Sequence, residues 1–362
     1  MIEMSELEAM EERKNRQEET IKTFKEGLGN KRSNKNLIKN GEVDKEALLD
    51  ALKLAFPDIT PRTMRRDPAW SSTAGCVEFS QMSETLFTYS YKGKNFGDQL
   101  KDWFDKPYLA DPEEWQKAFD EFHGIACETV MDFLKTQCYE PKCITYGKAQ
   151  KVVNMTFKHI YCLDGAYNKE EWFIPCHIAL DSFTLEWFCR NVKGVTKGCV
   201  DSWSALQNAA DKNNKLPDRY ADMKMYTKAV DKGDGKKSEI NWFYTYEQIV
   251  ALIRSYFAGD HPFKGLFPLQ AEFYIWPEIQ LHLAAETLYG QDAGKETTID
   301  AAKDIEEWQE DWRKAQMDSK TIEQRFTWCK KKFKLLPVDK KLEFLNERVG
   351  QMIKKLHIYK PQ

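Results

Sequence analysis

"GKAQKVVNMTFKHIYCL", residues 147–163, sets two lysines, Lys151 and Lys158, seven positions apart in an otherwise largely apolar segment. With Met155 they fall at i, i+4 and i+7, so all three line one face of a helix beginning near Lys148. Val152, Val153, Phe157, Ile160 and Tyr161 cover the other sides. A helix that is apolar nearly all round is buried, and a buried ammonium is costly unless it is paired or put to use. The lysines are therefore expected to point into a cleft. An apolar cleft favours the neutral form of an amine, which is the form that attacks.

Two later segments extend the pattern. In "WFIPCHIALDSFTLEWF", residues 172–188, Pro175 fixes an extended approach and Asp181 stands at the N-cap of a helix over 182–190. Such a carboxylate, at the mouth of a cleft near a lysine, can also move protons and stabilise developing positive charge. In "HPFKGLFPLQAEFYIWPE", residues 261–278, Pro268 opens a helix on which Glu272 and Trp276 sit one turn apart. A carboxylate beside an indole can hydrogen-bond the edge of a heterocycle while the ring stacks on its face.

The whole chain bounds these readings. Its 362 residues are enough for one large or two ordinary domains with a substantial core. Aromatic residues make up 13%, enough to fill a core and still spare several for stacking on a flat ligand. The net charge of -3 rules out a bulk polycation, so nucleic-acid binding would need a local basic patch. Residues 325–360 carry 11 Lys/Arg against 3 Asp/Glu and offer one, although a solvated helical face explains such a run equally well. Nine cysteines with no signal-peptide pattern point to reduced thiols in a cytoplasmic protein. No apolar run approaches the roughly 18–20 residues that span a bilayer. Cys138 and Cys143 of "CYEPKC" lack a matching second pair, and "PCH" at 175–177 adds too little, so no structural metal is expected. His159 and His177 form no triad and are expected to be core residues, and the cysteines to be buried apolar filler.

Along the chain, residues 1–28 read as a charged helix packing loosely on the body, and 29–41 as a polar linker. "DKEALLDALKLAF", residues 44–56, reads as a helix stopped by Pro57 and Pro61. Residues 69–93 are the most strand-like part, with a small sheet or hairpin expected. At "DPEEWQ" an Asp cap, a proline at the first helical position and two acids mark a strong helix start. That helix runs to about residue 137. Others are expected near 148–163, 182–190, 245–257, 269–289, 300–315, 319–334 and 338–356, with an exposed loop at 231–239. The class is mainly α.

The three segments, in this order, resemble the helix-hairpin-helix DNA glycosylase superfamily, and most of all its archaeal-type 8-oxoguanine DNA glycosylases with AP lyase activity. "GKAQKVV" looks like the nucleophile site, with Lys151 as the Schiff-base lysine, and "IPCHIALD" looks like the segment carrying the catalytic aspartate, Asp181. Lys158 matches a second lysine seven residues on, in the base pocket. Glu272 and Trp276 match the acid and tryptophan that read and stack on the base, with Glu where that family has Asp. Met155 stands where those enzymes stack an aromatic ring. The likeness covers roughly residues 140–280.

The resemblance implies a two-lobed helical fold with a small strand-containing segment near its N-terminal part. Residues 1–43 are then a charged helix and linker, 44–290 the glycosylase-like domain, and 291–362 a helical extension with a basic end. It implies an enzyme that excises an oxidised purine such as 8-oxoguanine from double-stranded DNA, needs no metal or organic cofactor, and acts as a monomer. A non-catalytic nucleic-acid- or protein-binding member of the same fold is the alternative. If the likeness is accidental, Lys151 and Asp181 lie far apart.

Overall fold

Asp111 does what its position predicts: its Oδ1 accepts from the backbone N–H groups of Glu113 (2.8 Å) and Glu114 (3.3 Å), the first orphan donors of a helix. In the computed structural model that helix covers Pro112–Gln137, with both acids in its first turn. The structure describes residues 2–28, 33–63, 76–137, 144–193, 195, 197–208, 225–230, 239–263, 265–276 and 279. In chain order the described helices are α1 (Ile2–Leu28), α2 (Lys45–Thr63), α3 (Cys76–Thr88), α4 (Phe96–Asp105), α5 (Pro112–Gln137), α6 (Tyr146–Tyr161), α7 (Ser182–Asn191) and α8 (Tyr246–Ala258), followed by α9 over 268–276. The protein is mainly helical, with a few short strands.

Two compact units divide the chain. The first is Met1–Gln17, Arg32–Asp260 and Phe267–Leu269; the second is Glu18–Lys31, His261–Leu266 and Gln270–Gln362. In the first unit α6 is the central element, and every residue of it except Lys148 is buried. The alanines at 47, 51 and 55 of α2, one turn apart, present a flat buried face, and α2 packs closely along α6. From α5, the rings of Phe119 and Phe122 meet Phe157 of α6 at centroid distances of 5.5 and 5.7 Å, and Phe104 of α4 stacks on it at 5.7 Å. α1 is tied down at the far end: the Gln17 amide donates to the carbonyls of Tyr161 (2.7 Å) and Leu163 (3.0 Å), covering orphan acceptors at the C-terminus of α6. Arg13 pairs with Glu170 and Glu171 beside it. In the second unit the turn at 261–266 closes with Leu266 N–H on Phe263 O (2.9 Å), and α9 carries the buried Phe273, Tyr274 and Ile275.

Several expectations need correction. α2 does not stop at Pro57; its backbone stays helical through Pro57 and Pro61 to Thr63. Proline in a helix forfeits one backbone bond and strains one turn, a cost that this helix tolerates twice. Residues 76–88, expected as strand, are helical. Their buried Met82, Ser83 and Leu86 fall at i, i+1 and i+4, a helical spacing that outweighs the β-propensity of the composition. Residues 69–75 lie outside the described residues, and among the described ones 90–95 form the expected hairpin, β3 (Ser90–Tyr91) with β4 (Lys94–Asn95). The supposed linker holds another, β1 (Ile38–Lys39) with β2 (Glu42–Val43), turned by Asn40 (φ 54°) and Gly41 (φ 83°). That is the left-handed pair an Asn-Gly turn supplies. Leu37 N–H also bonds Asp164 O at 2.8 Å, so this segment is anchored. The longest hairpin among the described residues, β5 (Met225–Val230) with β6 (Glu239–Tyr244), was not expected. Residues 231–238 of the expected loop, the helices at 300–315, 319–334 and 338–356, the basic stretch and Cys138 and Cys143 lie outside the described residues. Among the described residues, no helix is long and apolar enough to cross a membrane.

Because Phe157 is buried at the meeting point of α4, α5 and α6, truncating it to Ala should lower unfolding free energy by about 3–5 kcal/mol in urea. The same truncation at exposed Ile125 of α5 should change it by no more than about 0.5 kcal/mol.

Candidate active site

The start of α6 is built by Thr145 and Gly147. Thr145 caps the helix, its hydroxyl accepting from Lys148 N (3.3 Å) and donating to Ser204 O (2.7 Å). Gly147 N–H donates to Leu206 O (3.1 Å). A Cβ at 147 would stand 1.8 Å from the Trp203 carbonyl oxygen, so only glycine permits this approach. The helical turn Trp203–Ala205 is thereby clamped against α6, and the indole of Trp203 lies over the Lys151 ammonium, Nζ 4.7 Å from its centroid.

Asp181 approaches from the other side. Its Oδ1 accepts from Phe183 N (2.9 Å) and Thr184 N (3.0 Å), and its own N–H donates to Thr184 Oγ1 (2.7 Å), a complete capping box for α7. The second oxygen, Oδ2, lies 3.6 Å from Lys151 Nζ. Lys151 is 5% exposed and Asp181 7%. One carboxylate thus serves both as helix cap and as counter-ion to a buried amine.

The segment before Asp181 is fixed on α6 by amides. Gln150 donates to Leu180 O (2.8 Å) and accepts from Leu180 N (3.2 Å); Asn154, one turn on, donates to Ile178 O (3.1 Å). Asn154 opens a chain of buried polar groups. His123 Nε2 lies 2.9 Å from Asn154 Oδ1, and Tyr146 Oη 3.3 Å from His123 Nδ1. Asn154 Nδ2 lies 3.0 Å from Tyr246 Oη, one of three oxygens, with Ile178 O and Gln150 Oε1, that share its two hydrogens, and Tyr246 Oη lies 2.9 Å from His177 Nδ1. His177 Nε2 is 2.8 Å from Asp120 Oδ1, and Arg254 grips both oxygens of Asp120 at 2.7 and 2.8 Å. The partners set the tautomers: each histidine is neutral, donating from Nε2 and accepting at Nδ1. Hydrogen bonds then run one way from Tyr146 to Asp120.

The titration behaviour follows. Burial holds His123 and His177 below the ordinary histidine value; for His177 the hydrogen bond to Asp120 opposes this without overcoming it. For Asp120 burial pushes upward, but the bonds from His177 and Arg254 prevail and keep the carboxyl well below the usual carboxylate range. Burial raises the Cys127 and Cys176 thiols, in keeping with core filler.

The expected pairing of Lys151 and Asp181 is therefore present. Met155 and Lys158, on the same face of α6, are buried as well, Lys158 at 2%. Glu272 and Trp276 belong to the second unit, one turn apart on α9, Glu272 buried and Trp276 half-buried. Sequence reasoning did not single out Gln150, Asn154, Trp203, Asp120 or Arg254. The first two had a local mark, amides at i and i+4 inside an apolar helix, which burial obliges to find partners. The other three meet their partners only through the fold. Comparison with family models, with curated proteins and with solved structures finds no match to this chain.

The neutral histidines make a pH prediction. Their folded-state values lie below 6.5, so on acidification the unfolded chain takes up protons that the native chain refuses. Stability should fall as pH drops below about 6.5, by up to about 1.4 kcal/mol per pH unit for each histidine. The Asp120 contribution, with its folded value below 3.8, should persist through this range and be lost only at lower pH. Urea midpoints measured from neutral pH down to about pH 5 check this; a level midpoint would contradict neutral burial.

Proposed function

We propose that this chain is a DNA glycosylase with AP lyase activity on an oxidised purine such as 8-oxoguanine, built on a helix-hairpin-helix glycosylase-like fold. The observation that carries the reading is the pairing of Lys151 Nζ with Asp181 Oδ2 at 3.6 Å, in surroundings that exclude most water.

In the proposed reaction the damaged nucleotide leaves the duplex stack to reach the amine. Lys151, having passed a proton to solvent, attacks the anomeric carbon. A C–N bond forms there as the glycosidic bond breaks, and the base leaves with that electron pair and takes a proton. Ionised Asp181 stabilises the positive charge developing on the sugar. Opening of the sugar ring then gives the imine. Removal of a 2′ proton expels the 3′ phosphate by β-elimination and nicks the strand. Met155 would stack on the base and Lys158 bond its edge, as the resemblance implies.

A second reading, a non-catalytic nucleic-acid- or protein-binding member of the fold, is favoured by one observation: Trp203 covers the Lys151 ammonium, so the pair is closed as it stands.

Borohydride trapping separates the two. On a duplex carrying 8-oxoguanine or an abasic site, wild type should give a covalent adduct, Lys151→Gln none, and Asp181→Asn an adduct formed about a hundredfold or more slowly. A wild-type protein that traps on neither duplex contradicts the lyase.

A further inference from the structure

Gln150 is fully buried and spends its whole amide. Nε2 donates to Gly147 O (2.8 Å) and to Leu180 O (2.8 Å); Oε1 accepts from Asn154 Nδ2 (2.9 Å) and from Leu180 N (3.2 Å). A primary amide has two donors and two acceptor sites, and each faces a partner, the Asn154 hydrogens being shared with Ile178 O and Tyr246 Oη. No other side chain of that length supplies both sets: glutamate loses the donors, and methionine loses everything but the volume.

The place of these bonds matters more than their number. Gln150 immediately precedes Lys151, and Leu180 immediately precedes Asp181. The reciprocal pair of bonds between Gln150 and Leu180 therefore joins the covalent neighbours of the two charged residues. Asn154 repeats the contact two residues back, at Ile178 O (3.1 Å). Two amides one turn apart on α6 thus bind alternate carbonyls, 178 and 180, of an extended segment, as a neighbouring strand would. The capping box fixes Asp181 in rotation, and Gln150 fixes how far along α6 that cap sits.

We propose that Gln150 is the positioning residue of the Lys151–Asp181 pair, the side chain that sets the separation of amine and carboxylate through the Leu180 backbone. It touches neither charged group's polar atoms and is not itself a catalytic residue. This deepens the function proposed above and rests on that reading only for its kinetic consequence; the geometric consequence stands apart from it.

The test therefore has two arms on the full-length protein. In the first, the side-chain amine of Lys151 is followed by 15N NMR, its signal assigned by its disappearance in Lys151→Arg. Asp181→Asn should move that signal. Gln150→Met, which keeps the volume and removes all four bonds, should move it in the same sense with Asp181 intact. Phe157→Leu, which disturbs α6 without touching the amide, serves as the control for a merely structural effect and should leave it in place. In case Gln150→Met does not fold, Gln150→Glu keeps the shape and loses the donors, and should give the same shift. In the second arm, trapping on the abasic duplex should slow by on the order of 100-fold in Gln150→Met, with duplex affinity within about twofold of wild type, a rate loss without a binding loss.

A Lys151 signal unmoved in folded Gln150→Met or Gln150→Glu, while Asp181→Asn moves it, overturns the positioning role. So does an equal shift in Phe157→Leu. A wild type that traps nothing overturns the lyase and leaves the first arm to decide the positioning claim by itself.

Discussion

The structure depends on a cation that has been taken out of water. Lys151 sits on a helix buried on all sides, and stripping an ammonium of its hydration costs several kcal/mol even after relaxation. Three things offset that cost here: the Asp181 carboxylate at 3.6 Å, the face of the Trp203 indole at 4.7 Å, and a framework stiff enough to keep both in place. The rest of the first unit can be understood as what that framework requires. Gly147 lets the Trp203 turn approach, Thr145 ties it, the capping box aims Asp181, and Gln150 and Asn154 hold its approach segment.

The same logic extends outward. Buried amides must be satisfied, so Asn154 recruits His123 and Tyr246, and Tyr246 recruits His177. The chain ends where it can afford a charge, at Asp120, whose carboxylate is 43% exposed and gripped by Arg254. Helices α5, α6 and α8 and the 175–181 segment are thus joined by directional bonds as well as by the aromatic core. Apolar packing alone would allow many sliding arrangements of such helices; polar partners with fixed donors and acceptors allow few. This is the kind of support that a reactive pair needs, since the pair's geometry is only as good as its backing.

What could be read in the sequence was local or periodic. The Asp111–Pro112 start, the buried α6 and the Asp181 cap follow from short-range rules, whereas the meeting of Lys151 with Asp181 was to be expected only from the family resemblance. The failures have physical causes too. Aromatic and hydroxyl residues at 76–88 suggested a strand, but the spacing of Met82, Ser83 and Leu86 decided for a helix. Pro57 and Pro61 suggested an end that the backbone does not make. Asn40–Gly41 was a legible turn hidden in a polar run, and the β5–β6 pairing had only weak alternation to announce it. Trp203, Asp120 and Arg254 could not have been found from neighbours in sequence, because Arg254 meets Asp120 134 positions away.

The most direct test of the central claim is a double-mutant cycle on stability with Lys151→Met and Asp181→Asn, the latter chosen because asparagine retains the helix cap. If the buried pair is the constraint described here, Lys151→Met and Asp181→Asn should each destabilise, on the order of 3–5 kcal/mol for removing one partner of a buried pair. The double variant should then recover a large part of the sum, giving a coupling above about 1 kcal/mol. Two single effects that simply add, with no coupling between them, would contradict it.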